Sequence, residues 1–102
     1  MKAQMPGNMQ NMLKQAQKLQ KQMSQAQDQL NETEFIGNSA DEMVKVVFTG
    51  NYQLKDIQIK PAAIDPDDPE MLQDLIIMAV NDAMDKIAQQ TQQTLGQYTP
   101  KL

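Results

Sequence analysis

Lys14, Lys18 and Lys21 stand four and then three residues apart, in a stretch where no acidic residue occurs before Asp28. On a helix that spacing stacks three ammonium groups along one face, roughly 6 and 10 Å beyond the first. Fixed cations in a row suit a polyanion, above all the phosphates of nucleic acid. The plainer reading is a solvated face, since lysines opposite an apolar seam usually serve solubility. A solvated face ordinarily mixes both signs, and this one does not. Arginine is absent. That removes the bidentate reader of guanine and phosphate, so contacts should go to the nucleic-acid backbone with little base readout.

Other chemistry has few places to reside. Histidine and cysteine are both missing, and with them the commonest general base, the thiol nucleophile and the usual zinc ligands. Ser24 and Ser39 have no evident base to activate them. The one carboxylate cluster is Asp65-Pro66-Asp67-Asp68-Pro69-Glu70. A hard cation would accept such oxygens, but the glycine and twelve-residue spacing of an EF-hand are absent. An acidic, proline-stiffened entry to a helix N-terminus accounts for the run more simply. No catalytic residue, metal site, cofactor or small-molecule substrate is therefore expected.

The charge is unevenly placed. The chain has 102 residues and a net charge of −4, enough for one domain with one modest core. Residues 1–27 contain four lysines and no acids (+4), while residues 28–102 contain five lysines and thirteen acids (−8). This asymmetry suggests an anion-binding segment on an acidic body. Neither a signal peptide nor a membrane span is legible, which makes the cytoplasm the default compartment.

The elements that would position the lysines follow from periodicity. Met9, Met12, Ala16, Leu19, Met23, Ala26 and Leu30 form a narrow apolar seam at intervals of three and four, the mark of a long helix that packs on another. The methionines could instead line a promiscuous peptide groove, though such a stripe more often serves as core. The glutamines read as a solvated helix surface and not as a prion-like tract. A helix is predicted over 8–32, with Pro6-Gly7-Asn8 as breaker and cap. A short strand is expected at Thr33–Ile36, with Gly37-Asn38-Ser39 as a turn.

Met43–Thr49 alternates, with Val44, Val46 and Phe48 on one face. Gly50-Asn51 reads as a two-residue hairpin, and Tyr52–Lys60 as the return strand with a bulge near Lys55-Asp56. Asp67 or Asp68 can cap a second helix that has Pro69 in its first turn. Its apolar stripe of Leu72, Leu75, Ile76, Ala79, Val80, Ala83 and Ile87 is widened by Ile77, Met78 and Met84. Leu75, Ile76, Ile77, Met78, Val80 and Met84 are thus the expected dimer interface, because a belt this wide is buried on two sides. The class is α+β, in the order helix, three antiparallel strands, helix. One domain spans 1–102, with 1–7 and 96–102 expected to fray.

Several segments together resemble the YbaB/EbfC family of small bacterial nucleoid-associated proteins. They are Asn8–Gln20, the strand pair around Met43–Val46 and Gly50, Ile64–Asp68, and Leu75–Ala83. The resemblance implies an α-β-β-β-α fold in a homodimer, with paired helices projecting from a central body like tweezers. It also implies duplex DNA as partner, no catalysis, no membrane, and a cytoplasmic place on the nucleoid. Lys14, Lys18 and Lys21 fall in the matching part of the first helix, and Lys86 follows the matching Asn81-Asp82-Ala83. These four are the DNA-binding residues that the resemblance implies. The missing arginine and glutamine-rich helix depart from the family pattern and weigh against marked sequence preference. The rival from another class is a non-enzymatic helical adaptor that docks a protein through the Met/Ala seam or the acidic surface.

Overall fold

The computed structural model describes residues 4–98, with side chains from residue 8 onward. The first helix, α1 (Gln4–Glu32), is built almost wholly from good helix formers. Its backbone is already helical through Pro6 and Gly7, so it starts earlier than the breaker reading placed it. A proline in the first turn has no helical hydrogen bond to lose. At the other end, Thr33 turns the chain by donating its N–H to the Gln29 and Leu30 carbonyls, and its hydroxyl reaches Gln29 as well.

Three antiparallel strands follow in the spatial order β1-β2-β3: β1 (Glu34–Asn38), β2 (Val44–Thr49) and β3 (Leu54–Ile59). Strand β1 extends through Gly37 and Asn38, which the sequence reading assigned to a turn. The reason lies across the interface. A side chain at Gly37 would collide with the Ala79 carbonyl and with Ala83, so glycine here admits a helix onto the strand.

The β2–β3 connection also differs from the two-residue hairpin. Tyr52 N–H donates to the Thr49 carbonyl, and Thr49 N–H to the Gln53 carbonyl, which makes a three-residue turn. Tyr52 takes the left-handed conformation at φ 66°, a position that favours glycine. Gly50 has no positive φ; its missing side chain makes room for the Leu30 carbonyl at the end of α1. The bulge appears where expected. Val47 faces Asp56 while Phe48 faces Leu54, so Lys55 is the extra residue and the two halves of β3 change parity around it.

After a short 3-10 turn at Pro61–Ala63, the acidic run delivers α2 (Pro69–Gly96). Asp67 N–H donates to the Asp65 carboxylate at 2.9 Å, and Asp68 accepts from Met71 N–H at 3.2 Å as the N-cap. With Pro69 in the first turn, these acids perform the turn and capping roles that their types suit. Helix α2 lays Leu75, Ala79, Ala83 and Ile87 on Val44, Val46 and Phe48 of β2, and all seven are buried. It covers β1 and β2 and leaves β3 outside, so Leu54 and Ile57 remain exposed.

The body is therefore a two-layer sandwich of sheet and helix. Helix α1 meets it only at its base, where Ala26 and Leu30 lie near Phe35, Gln90 and Thr94. The rest of α1 projects, and the molecule measures 82 × 24 × 16 Å. The order helix, three-stranded antiparallel sheet, long helix is the predicted one. Of the ends expected to fray, residues 1–3 and 99–102 lie outside the described residues.

Candidate nucleic-acid interface

From Asn8 to Gln22 every residue of α1 is exposed. Lys14, Lys18 and Lys21 lie within that segment, along the side opposite the seam. Among the described residues none of the three has a hydrogen bond or an ion pair. The helix alone positions them, at about 1.5 Å of rise per residue. Three solvated ammonium groups on one helix face, with no carboxylate partner among the described residues, are open to an incoming anion.

Lys86 has a different setting. Its ammonium donates to the Ile36 carbonyl at 2.7 Å and pairs with the Asp82 carboxylate at 3.2 Å, one turn earlier on α2. Asp82 in turn accepts from Asn38 N–H at 2.9 Å. That hydrogen bond, helped by Lys86, holds the Asp82 carboxyl below its ordinary value despite partial burial. Ile36 C=O and Asn38 N–H both point away from β2, so Asp82 and Lys86 occupy the free edge of β1 as a neighbouring strand would. The α1–α2 contact separates this clamp from the lysine stripe: Lys21 lies toward the arm tip and Lys86 toward the body. The structure thus brings three of the four sequence-implied DNA residues onto one face and puts the fourth in a structural tie. The i, i+4 spacing of Asp82 and Lys86 is the one sequence signal of this tie, and nothing in the sequence marks its engagement with β1.

The residues expected to form a dimer interface divide as well. Leu75 belongs to the core of its own chain, and Ile76, Val80 and Met84 pack partly against that core. Ile77 and Met78 stay exposed, at 56% and 48%. Elsewhere, a cleft of about 380 Å³ is lined by Glu42, Lys45, Gln58 and Lys60; it carries both signs of charge and offers no concentrated field. Among the described residues no cluster of three or more acids is placed to hold a metal ion. No described helix is long and apolar enough to cross a membrane.

The chain is similar to known proteins in sequence and in fold. The model of the YbaB/EbfC DNA-binding family matches residues 5–102. A nucleoid-associated protein of Ligilactobacillus salivarius is 61% identical over 92 residues, covering 90% of this chain and 88% of its own. A nucleoid-associated protein of Enterococcus faecalis is 56% identical, covering 91% of this chain and 89% of its own. An uncharacterized protein of Helicobacter pylori, known by crystal structure, shares the fold with a TM-score of 0.67 and 24% identity. That match covers 80% of this chain and 86% of the other.

Proposed function

The chain belongs to the YbaB/EbfC DNA-binding family, whose members are not enzymes, and from that premise we propose that it binds duplex DNA as a homodimer on the bacterial nucleoid, in the cytoplasm. The grip is electrostatic. Lys14, Lys18 and Lys21 of each arm contact phosphates and release counterions. Lysine carries a point charge without the planar fork that reads base edges, so the protein positions itself on the backbone with low sequence specificity. The observation that carries this reading is the unpaired lysine stripe in a segment free of acids, held away from a body of net −8 over residues 28–102. Lys86, with its ammonium already shared between Ile36 and Asp82, contributes less.

Dimerisation is supported by the outward face of α2, where Ile77 and Met78 are left bare beside the half-buried Ile76, Val80 and Met84. Apolar side chains grouped in this way are what an obligate interface buries. The test is an anisotropy titration of labelled duplex with the wild type and with Lys14, Lys18 and Lys21 all changed to alanine, while light scattering follows the dimer. Binding should collapse in the variant with the dimer intact. An unchanged titration would favour the adaptor reading, to which the bare methionine seam also lends itself.

A further inference from the structure

The basic face of α1 is made of two kinds of side chain. Gln10, Asn11, Gln17 and Gln25 each stand three or four residues from Lys14 or Lys21, so they share the lysines' side of the helix. All four amides are exposed, and among the described residues none has a hydrogen-bond partner. Asp28, seven residues beyond Lys21, is the first acid and closes this face toward the body.

The make-up of the face narrows its ligand. Residues 1–34 contain no aromatic side chain, so the arm offers no platform on which the bases of a single strand stack. Counted around the helix at 3.6 residues per turn, the lysines and Gln25 run along the middle of the face. Asn11 lies at one margin, and Gln10 and Gln17 at the other. A helix set into the major groove works the other way round, with its middle residues on base edges and its flanks on the phosphate walls. This arm is therefore built to lie on the sugar–phosphate surface, where ammonium meets phosphate and amide meets sugar. There the sugar makes the difference. A 2′-hydroxyl both donates and accepts, and so does an amide. In A-form duplexes these hydroxyls line a wide, shallow minor groove, open to an exposed helix. The lysine spacing agrees. The rise is about 6 Å from Lys14 to Lys18 and about 4.5 Å from Lys18 to Lys21, and phosphates crowd more closely along an A-form strand than along a B-form one.

We propose that the same face of α1 binds double-stranded RNA, with Lys14, Lys18 and Lys21 on phosphates and the four amides on 2′-hydroxyls. This rests on the lysine grip argued above for duplex DNA and adds a second polymer to it. Because no base edge enters the contact, the ligand is RNA duplex of any sequence. Duplex DNA keeps the phosphate contacts and lacks partners for the amides.

The test is an anisotropy titration of the full chain against two labelled duplexes of one sequence, one of DNA and one of RNA. The wild type should bind the RNA duplex at least as tightly as about one-fifth of its affinity for DNA, since the phosphate contacts are common to both. The deciding variant is Gln10→Ala/Asn11→Ala/Gln17→Ala/Gln25→Ala, which leaves every charge in place and puts the best helix former at each position. It should bind RNA about tenfold more weakly than the wild type and DNA within about twofold, because only RNA carries 2′-hydroxyls. A wild type that holds DNA but binds RNA below the stated limit overturns the proposal and leaves the DNA reading standing. An amide variant that weakens on both duplexes alike, or on neither, also overturns it. Binding to RNA alone, lost on removal of the amides, would uphold the proposal and defeat the DNA reading. Binding to neither duplex defeats both.

Discussion

Two halves of this chain obey opposite rules. In the body, Val44, Val46, Ala79, Ala83 and Ile87 are fully buried, and Gly37 and Gly50 exist to let backbone approach backbone. In the arm, all fifteen residues from Asn8 to Gln22 lie exposed. A body packed in this way owes its shape to its own contacts. An isolated helix as bare as the arm is marginal in water, so the arm carries information about other molecules and little about its own fold. Its apolar side is the bare Met/Ala/Leu seam and its basic side the lysine stripe, and the two lie opposite each other.

That contrast can be broken at its strongest point. Ile87→Ala opens a cavity in a fully buried site and should cost about 2–5 kcal/mol of stability. Leu19→Ala on the arm should change monomer stability by no more than about 0.5 kcal/mol. Chemical denaturation of both variants at low protein concentration measures the difference, and comparable losses would erase the distinction. Gly37→Ala probes the same closure from the strand side. Its added carbon meets the Ala79 carbonyl and Ala83, and overpacking of that kind costs about 1–3 kcal/mol.

Smaller effects sharpen the picture at the margins of the body. Tyr52 sits at φ 66° and is largely exposed, so Tyr52→Gly relieves the left-handed backbone at little cost in packing. The variant should gain about 0.5–1 kcal/mol, seen as a raised denaturation midpoint. The Asp82–Lys86 clamp gives the smallest signal. Asp82 has its carboxyl depressed in the folded state by Asn38 N–H and Lys86. Its contribution is therefore complete above the unfolded value of 3.8 and disappears as the pH falls through the lower folded value. Both partners are more than one-third exposed, which keeps the effect modest. Asp82→Asn should flatten acid unfolding below about pH 4 and leave DNA binding at neutral pH unaltered.

What could be read from the sequence was what depends on near neighbours. The Met/Ala/Leu repeat announced α1, alternation announced β2, and the parity break between Leu54 and Ile57 announced the bulge at Lys55. Asp68 and Pro69 announced the start of α2, and the absence of acids before Asp28 marked the arm as the basic face. Long-range contacts stayed hidden. Gly37 looks like a turn residue in one dimension because a close approach by a distant helix leaves the same letter as a turn, and Gly50, which does lie in a turn, gives no sign of the Leu30 carbonyl packed against it. The resemblance implies Lys86 as a fourth DNA contact, and nothing in its neighbourhood reveals that Ile36, fifty residues earlier, offers it a carbonyl. Leu75 read as interface for a like reason: a helix buried on one side by its own sheet and bare on the other shows the same widened stripe.

The most direct test of the account is the salt dependence of duplex binding, compared between the wild type and the variant with Lys14, Lys18 and Lys21 changed to alanine. Each lost phosphate contact lowers the slope of log affinity against log salt by about 0.9, so the three substitutions should flatten it by about 2.7 for every arm engaged. An unchanged slope in the folded triple variant would contradict the claim that this arm holds DNA by its lysines.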